Sequence, residues 1–321
     1  MDPSTHRIPV AHLAKLTGAA ILSVRYRLAP KNPFPAALVD ALVAYLSLIS
    51  PPPGSFHEPV PANQIIISGD SAGGNLSLAL LQTLLTLRRV SPTIHFHGQE
   101  IPLELPAGLA VLSPWTDLTR SMPSVYKNAP YDYLYPPEVP PEKESRPFPF
   151  PPDAIWPTDP PRIDMFVDAS ASLHPLVSPL AAPPELWKGA PPVLVSLGEE
   201  GLQDEGLVIA RRMYQAGVLV VAEQFEGMPH IFGYIFMAAP ASRRFFKGLS
   251  GFCRDAVAGN VKSTGNLARF GPNADSVQEL PWDQLDLLTD REVDERLQKS
   301  RSVRIEAENQ LLSRWKEKAR L

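Results

Sequence analysis

One short segment constrains the fold of this chain more than any other. An apolar run at residues 65–67 leads directly into GDSAGG at 69–74, and the helical pattern NLSLALLQTLLTL follows at once. A G-x-S-x-G spacing in this context is typical of a sharp strand-to-helix turn that holds its serine out of the sheet, at a helix N-terminus where backbone amides stabilise negative charge. The chain approaches itself so closely in such a turn that only small residues are expected beside Ser71, namely Gly69, Ala72 and Gly73.

The serine of this turn is a candidate nucleophile. A glycine-rich turn that only caps a helix or binds a phosphate is the alternative, and the strand and helix on either side favour the nucleophile. A serine hydroxyl reacts only when a base takes its proton, and an acid usually orients that base. Seven histidines are available, and His230 alone lies in a loop shortly after the last predicted strand. We therefore expect Ser71 and His230 to act together.

The acid is less clearly defined by the residues. The loop after the predicted strand 193–197 reads GEEGLQDE, so Glu199, Glu200 and Asp204 compete for the role. Asp204 is also well placed to cap the helix that follows. His95 and His97 have no third metal ligand nearby and are expected to be loop residues.

The rest of the chain alternates short aliphatic runs with helical patterns, which predicts a parallel sheet flanked by helices. The predicted strands are Ala20–Val24, Gln64–Ser68, Leu109–Leu112, Val193–Leu197 and Val218–Glu223. The predicted helices are 9–17, 35–48, 72–88, 203–216 and 239–257. Cys253, beside the buried face of the last helix, is expected to be a small buried residue.

Proline marks an insertion in this pattern. The chain has 37 prolines, and 19 of them lie between residues 123 and 192. Proline at that density removes the amide donors of helices and central strands, yet the aromatic content is too high for a solvated linker. We predict an insertion at about 119–192 that forms a lid or surface wrap.

Residues 259–321 differ in composition from the part of alternating strands and helices before them. We predict a domain at 1–258, then a linker and a charged helical extension at 259–321. Thr289 and Glu292 have the spacing of a capping box, which predicts that the last helix begins there.

Composition excludes several classes of protein. Thirty basic against 34 acidic residues give a net charge of −4, without the basic excess that nucleic-acid binding needs. The longest apolar stretch, 35–49, is interrupted by Asp40 and is shorter than the roughly 20 residues that span a bilayer. With one cysteine and no leader at Met1, the sequence predicts a soluble, cytoplasmic protein, and leaves open an anchor or signal on a fuller chain.

Several motifs together resemble one family. They are YRLAP at 26–30, PFPAA at 33–37, GDSAGGN at 69–75, SPWTD at 113–117 and PLVSPL at 175–180. In this combination the chain resembles the hormone-sensitive-lipase branch of the α/β-hydrolases, a group of esterases, lipases and arylacetamide deacetylases. The resemblance implies an α/β-hydrolase fold and a serine carboxylesterase that acts on short- to medium-chain acyl esters, without a metal or cofactor.

The resemblance also assigns roles to residues. The family's D-P-L-x-D-E run, whose first residue is usually the acid, falls on residues 200–205, which favours Glu200 and keeps Asp204 and Glu199 as alternatives. His230 is then the base and the Ala72 amide an oxyanion donor. The expected partner is a small-molecule ester, and the oligomeric state stays open.

One family element has no counterpart here. The family's HGGG loop, which supplies further oxyanion donors, precedes YRLAP by several tens of residues, whereas only 25 residues precede Tyr26. We therefore expect the strand that ends in HGGG to be missing and this chain, as given, to be an incompetent esterase. A non-catalytic relative, such as a ligand-binding protein like the plant gibberellin receptor, is the alternative class.

Overall fold

A six-stranded sheet organises the chain, which a computed structural model describes at residues 3–134, 136, 152–263 and 265–318. The six strands are β1 (Ile66–Asp70), β4 (Gly108–Leu112), β5 (Val193–Gly198), β6 (Val220–Phe225), β7 (Asn266–Phe270) and β8 (Val277–Pro281). They lie in the order β1-β4-β5-β6-β7-β8; the first five of these strands run parallel and β8 is antiparallel to β7. A separate antiparallel hairpin joins β2 (Thr93–Phe96) to β3 (Gln99–Pro102).

Helices cover both faces of this sheet. Those described are α1 (Arg7–Thr17), α2 (Ala36–Ile49), α3 (Ala72–Val90), α4 (Ser124–Lys127), α5 (Gln203–Gln215), α6 (Phe232–Ile235), α7 (Pro240–Val257) and α8 (Asp290–Lys318). Val193 and Val195 of β5 pack on the face shared with α3 and α5, while Leu194 packs on the opposite face with α7. Because both faces are covered, the central strands are continuous apolar runs. No helix in the described ranges has the length and apolar character needed to cross a bilayer.

Four predicted strands are confirmed with bounds shifted by up to two residues, but the prediction of a strand at Ala20–Val24 is wrong. That stretch has no regular structure and is exposed. A strand needs a neighbour for its backbone groups. This stretch pairs with none of the described strands, and β1 is therefore the edge of the described sheet. Shortly after this stretch, Arg27 forms an ion pair with Asp40 of α2 at 2.8 Å.

Residues after 258 contribute more to the fold than the predicted linker and helix. β7 extends the parallel sheet beyond β6, and β8 closes that side, which the sequence pattern does not predict. The long helix α8 is present, and its capping box is confirmed because Thr289 and Glu292 exchange hydrogen bonds. Its buried side chains, Val293 and Leu297, join the core that includes α3 and α5.

The proline-rich insertion is described in part. Tyr135 and residues 137–151 lie outside the described residues, so the prediction of a lid or surface wrap stays a prediction there. After the gap, the chain packs firmly: Trp156 is buried, and Val167 and Val177 form a small apolar cluster with Leu118.

Candidate active site

The predicted turn after β1 is present and its serine is strained. Ser71 has φ 52° and ψ −120°, a backbone conformation that residues other than glycine rarely adopt. The Ser71 amide donates to the carbonyl of Leu112 at 3.1 Å, and its carbonyl accepts from Trp115 at 3.1 Å and Asn75 at 3.0 Å. Hydrogen bonds from the end of β4 and the start of α3 therefore hold the hydroxyl out at the carboxyl edge of the sheet.

Three of the predicted residues meet at this edge. Ser71 Oγ lies 2.9 Å from Nε2 of His230, and Nδ1 of the same ring lies 2.8 Å from Oε2 of Glu200. The imidazole is 2% exposed and the carboxylate 0%. Ser71, His230 and Glu200 follow β1, β6 and β5 in that order. Their side chains meet because the carboxyl ends of parallel strands lie at one edge of a sheet.

The two loops that carry the histidine and the glutamate touch directly. Gly198 ends β5, and a Cβ at this position would overlap the carbonyl of Met228 in the opposite loop. A glycine is therefore needed for the close approach of these loops, and that approach brings Glu200 within reach of the imidazole.

The alternative acids have other partners. Oε2 of Glu199 accepts the amide of Gly227 at 3.1 Å, and the Asp204 carboxylate accepts the amide of Ser124 at 2.8 Å. The prediction that Asp204 caps the helix is wrong, since the N-cap position of α5 is Leu202 and has no side-chain cap. Burial raises the pKa of Asp204 above its ordinary value.

The Ala72 amide is the first of α3, where an α-helix leaves its N–H groups without an acceptor in the helix. On the side of Ser71 away from β4, β1 has no described neighbouring strand. The N-terminal segment reaches this side instead: Nε2 of His6 lies 3.1 Å from Oδ1 of Asp70, the residue before the serine. The hydrogen bond to Asp70 raises the pKa of His6.

Two further side chains contact the histidine loop, and the sequence analysis does not identify either of them as a site residue. Ser113 Oγ accepts the amide of Ile231 at 3.0 Å, directly after the histidine, and its position just past β4 at the carboxyl edge is the signal that identifies it. Asp132 contacts both loops and lies in the insertion, where the sequence has no periodic pattern.

The remaining sequence candidates lie elsewhere. His95 belongs to β2, and not to a loop as predicted, with Nδ1 3.4 Å from Oε1 of Glu100 on β3. Burial raises the pKa of Cys253 to about 11, which keeps the thiol protonated at neutral pH. No cluster of three metal-ligating side chains occurs in the part of the chain that is described.

A sheet of parallel strands between helices, with these three side chains at its carboxyl edge, is the arrangement of an α/β-hydrolase, and comparison with known proteins identifies the same family. A family model described as alpha/beta hydrolase fold matches residues 1–234. The chain belongs to this alpha/beta hydrolase fold family. Relatives named as an acetyl-hydrolase, an esterase and an ethyl acetate hydrolase place it among the carboxylic ester hydrolases.

Individual relatives share a similar part of the chain. It is 29% identical over 263 residues to an acetyl-hydrolase of Streptomyces hygroscopicus, covering 81% of this chain and 73% of the relative. It is 29% identical over 226 residues to an esterase of Acinetobacter venetianus, covering 70% of this chain but only 61% of that esterase. The crystal structure of EstE7, a hormone-sensitive-lipase homologue from a metagenome library, superposes with a TM-score of 0.60 at 32% identity, covering 80% of this chain and 74% of EstE7.

Proposed function

We propose that this protein is a serine carboxylesterase that hydrolyses short- to medium-chain acyl esters. The observation that carries the proposal is the continuous line of contacts from Ser71 through His230 to Glu200, with separations of 2.9 and 2.8 Å. A nucleophile, a base and an acid at hydrogen-bond distance are the requirement for acyl transfer through a covalent intermediate.

The reaction proceeds in two halves. Ser71 Oγ attacks the ester carbonyl carbon while His230 Nε2 takes the hydroxyl proton, and the resulting imidazolium then gives this proton to the departing alcohol. In the second half, water attacks the carbonyl carbon of the acyl-enzyme while His230 Nε2 takes a proton from it. The imidazolium then returns a proton to Ser71 Oγ as the bond from this oxygen to the acyl group breaks and the carboxylic acid leaves. Glu200 accepts the hydrogen bond from Nδ1–H and balances the charge that develops on the ring. These side chains and water handle every proton and electron pair, so the proposed reaction uses no cofactor.

The Ala72 amide is the proposed oxyanion donor. It is the first amide of α3 and directly follows the nucleophile, so it points toward charge that develops on the carbonyl oxygen. The loss of one such donor lowers kcat by about 10²- to 10³-fold, so kcat depends strongly on the number of oxyanion donors at this site.

The proposed substrates are small esters. The name of the acetyl-hydrolase relative supports a short acyl group. We expect p-nitrophenyl acetate and butyrate to be better substrates than longer esters.

The test is hydrolysis by the wild-type chain, by Ser71→Ala and by a matched control, Ser91→Ala. Ser91 is also a serine next to α3, but it follows the far end of the helix and its hydroxyl accepts only the Thr93 amide. We expect Ser71→Ala to lose turnover without unfolding and Ser91→Ala to keep it. Turnover retained in Ser71→Ala would contradict the proposal.

A second candidate is a family member that binds esters or related ligands without turnover. The position of β1 at the edge of the described sheet favours it, because no described strand stands beside Ser71 there to supply further oxyanion donors. A serine-directed organophosphate separates the two candidates. Labelling of Ser71 together with turnover supports the esterase, whereas ligand binding by a folded wild-type chain without turnover supports the second candidate.

A further inference from the structure

A short stretch between β4 and β5 holds the two loops that carry Glu200 and His230. It comprises α4, Asn128, the 3-10 helix Ala129–Tyr131 and the two residues that follow this helix. We call residues 124–133 the clamp segment. It belongs to the proline-rich insertion, and its side chains contact backbone groups of both loops.

The first half of the clamp segment contacts the glutamate loop. Asn128 is buried, and its Nδ2 donates to the carbonyl of Glu200 at 2.8 Å. Ser124 Oγ donates to the carbonyl of Gly201, also at 2.8 Å. Two successive carbonyls of the glutamate loop thus accept hydrogen bonds from side chains of this segment.

Asp132 reaches both loops with one carboxylate. Its Oδ2 accepts the amide of Gly201 at 2.8 Å, and its Oδ1 accepts the amide of His230 at 3.2 Å. A carboxylate acceptor makes each of these bonds charge-assisted and stronger than a neutral one. The side chain of Asp132 therefore fixes the backbone after the acid relative to the backbone of the base.

The neighbour of Asp132 completes the hold on the histidine. The Tyr133 hydroxyl donates to the carbonyl of His230. Burial raises the pKa of Tyr133, so the phenol keeps its proton and stays a donor at neutral pH. Both backbone groups of His230 are consequently held by side chains that are adjacent in sequence.

We propose that Asp132 is a positioning residue that sets the contact between Glu200 and His230. The inference rests on the proposed function for its effect on turnover. Glu200 and His230 follow different strands, so their separation depends on how two irregular loops sit beside each other. A displacement of about 1 Å costs on the order of 10²-fold in rate when catalytic groups must align.

A different aspartate provides a matched control. Asp153 also accepts two backbone amides with its carboxylate, those of Ile155 and Trp156, at 2.7 Å each. Both bonds lie within its own turn, whereas the bonds of Asp132 to Gly201 and His230 span 69 and 98 residues. Asp153→Ala removes the same chemistry without touching either loop.

The first measurement does not need turnover. A histidine Nδ1–H held by a buried carboxylate gives a low-field proton resonance, which Glu200→Gln assigns by its loss. We expect the resonance in the full wild-type chain and in Asp153→Ala, and its loss in Asp132→Ala. An unchanged resonance in a folded Asp132→Ala would overturn the inference.

The second measurement separates kcat from KM on p-nitrophenyl acetate. We expect Asp132→Ala to lower kcat on the order of 10²-fold with KM within about threefold, because ester binding is retained while alignment is lost. Asp132→Asn keeps one acceptor oxygen and should recover part of the rate, about tenfold below wild type. It also carries both measurements if the alanine variant does not fold. A kcat within about twofold of wild type in both variants would overturn the inference.

The two measurements separate failure of this inference from failure of the proposed function. A wild-type chain without Ser71-dependent turnover contradicts the esterase, and the resonance still decides the role of Asp132. A wild-type chain with Ser71-dependent turnover that is insensitive to Asp132 leaves the esterase intact and overturns the positioning role.

Discussion

Oε2 of Glu200 lies 2.8 Å from Nδ1 of His230, and Oε1 of the same carboxylate has no hydrogen-bond partner among the described residues. A buried polar atom without a partner costs about 1–3 kcal/mol. The imidazole of His230 is therefore the one described side chain that donates a hydrogen bond to the Glu200 carboxylate. The geometry suits an acid whose role is to orient and balance a histidine.

The first prediction concerns the choice of acid. Glu200→Gln should lower kcat by about 10⁴-fold, because an amide of the same size cannot balance the imidazolium. Asp204→Asn should keep activity within a few-fold and lower the free energy of unfolding by about 1–2 kcal/mol, because Asp204 holds the Ser124 amide. Steady-state kinetics and urea unfolding on both variants check this. The opposite ranking of the two kcat values would transfer the acid role to Asp204.

The second prediction concerns the glycines of the turn. A Cβ on Gly69 would overlap the carbonyl of Gly73 and lie 2.8 Å from Ser77 Oγ, whereas a Cβ on Gly73 would meet nothing within 4 Å. Gly69→Ala should lower the free energy of unfolding by about 1–3 kcal/mol. Gly73→Ala should leave it unchanged or raise it by up to about 1 kcal/mol.

Urea unfolding of the two variants measures this difference. The sequence predicts a need for small size at both positions, and the structure assigns the steric need to Gly69. Equal losses in both variants would contradict this assignment.

The third prediction concerns the attachment of α8. The buried guanidinium of Arg212 donates to the carbonyl of Leu180 and pairs with Asp290 at 3.0 Å and Asp294 at 2.8 Å. Arg212→Ala should lower the free energy of unfolding by about 2–3 kcal/mol, because it leaves a buried carbonyl without its donor and removes two partly exposed ion pairs.

The control for Arg212 is an exposed arginine on α8, the helix that Arg212 holds. Arg291 pairs with Glu295 at 3.6 Å, with both side chains exposed, so Arg291→Ala should change stability by less than about 0.5 kcal/mol. Thermal or urea unfolding compares the two. If Arg212→Ala were as stable as Arg291→Ala, α8 would not be held to the domain through this residue.

The fourth prediction concerns pH. Glu223 is buried on β6, 3.3 Å from Arg244, and burial raises its pKa to about 7. A glutamate in the unfolded chain titrates near 4.3. Between these values the folded state binds more protons than the unfolded state, so this residue lowers stability as pH rises.

Glu223→Gln removes that dependence. Its free energy of unfolding should improve relative to wild type by up to about 3 kcal/mol between pH 4 and 8, with most of the change below pH 7. Urea unfolding at several pH values measures the difference between the two proteins. A difference that does not vary with pH would show that Glu223 titrates alike in both states.

Local pattern was enough for much of the fold. The turn around Ser71, four strands of the sheet, the helices and the Thr289–Glu292 capping box follow from periodicity and short-range chemistry that neighbouring residues carry. The position of His230 after the last predicted strand followed from chain order. These features are encoded within a few residues, and therefore the sequence specifies them directly.

Contacts between distant segments decided the rest. The sequence predicts a strand at Ala20–Val24, but this run is exposed and unpaired, because a strand forms only beside a partner. β7 forms beside β6, and β8 forms beside β7. The residues of the loop after β5 left three acids open and the family resemblance favoured Glu200, whereas the approach of two loops at Gly198 is what places its carboxylate against the imidazole. No local pattern predicts the role of Asp132, since its hydrogen bonds to the two loops reach residues 69 and 98 positions away.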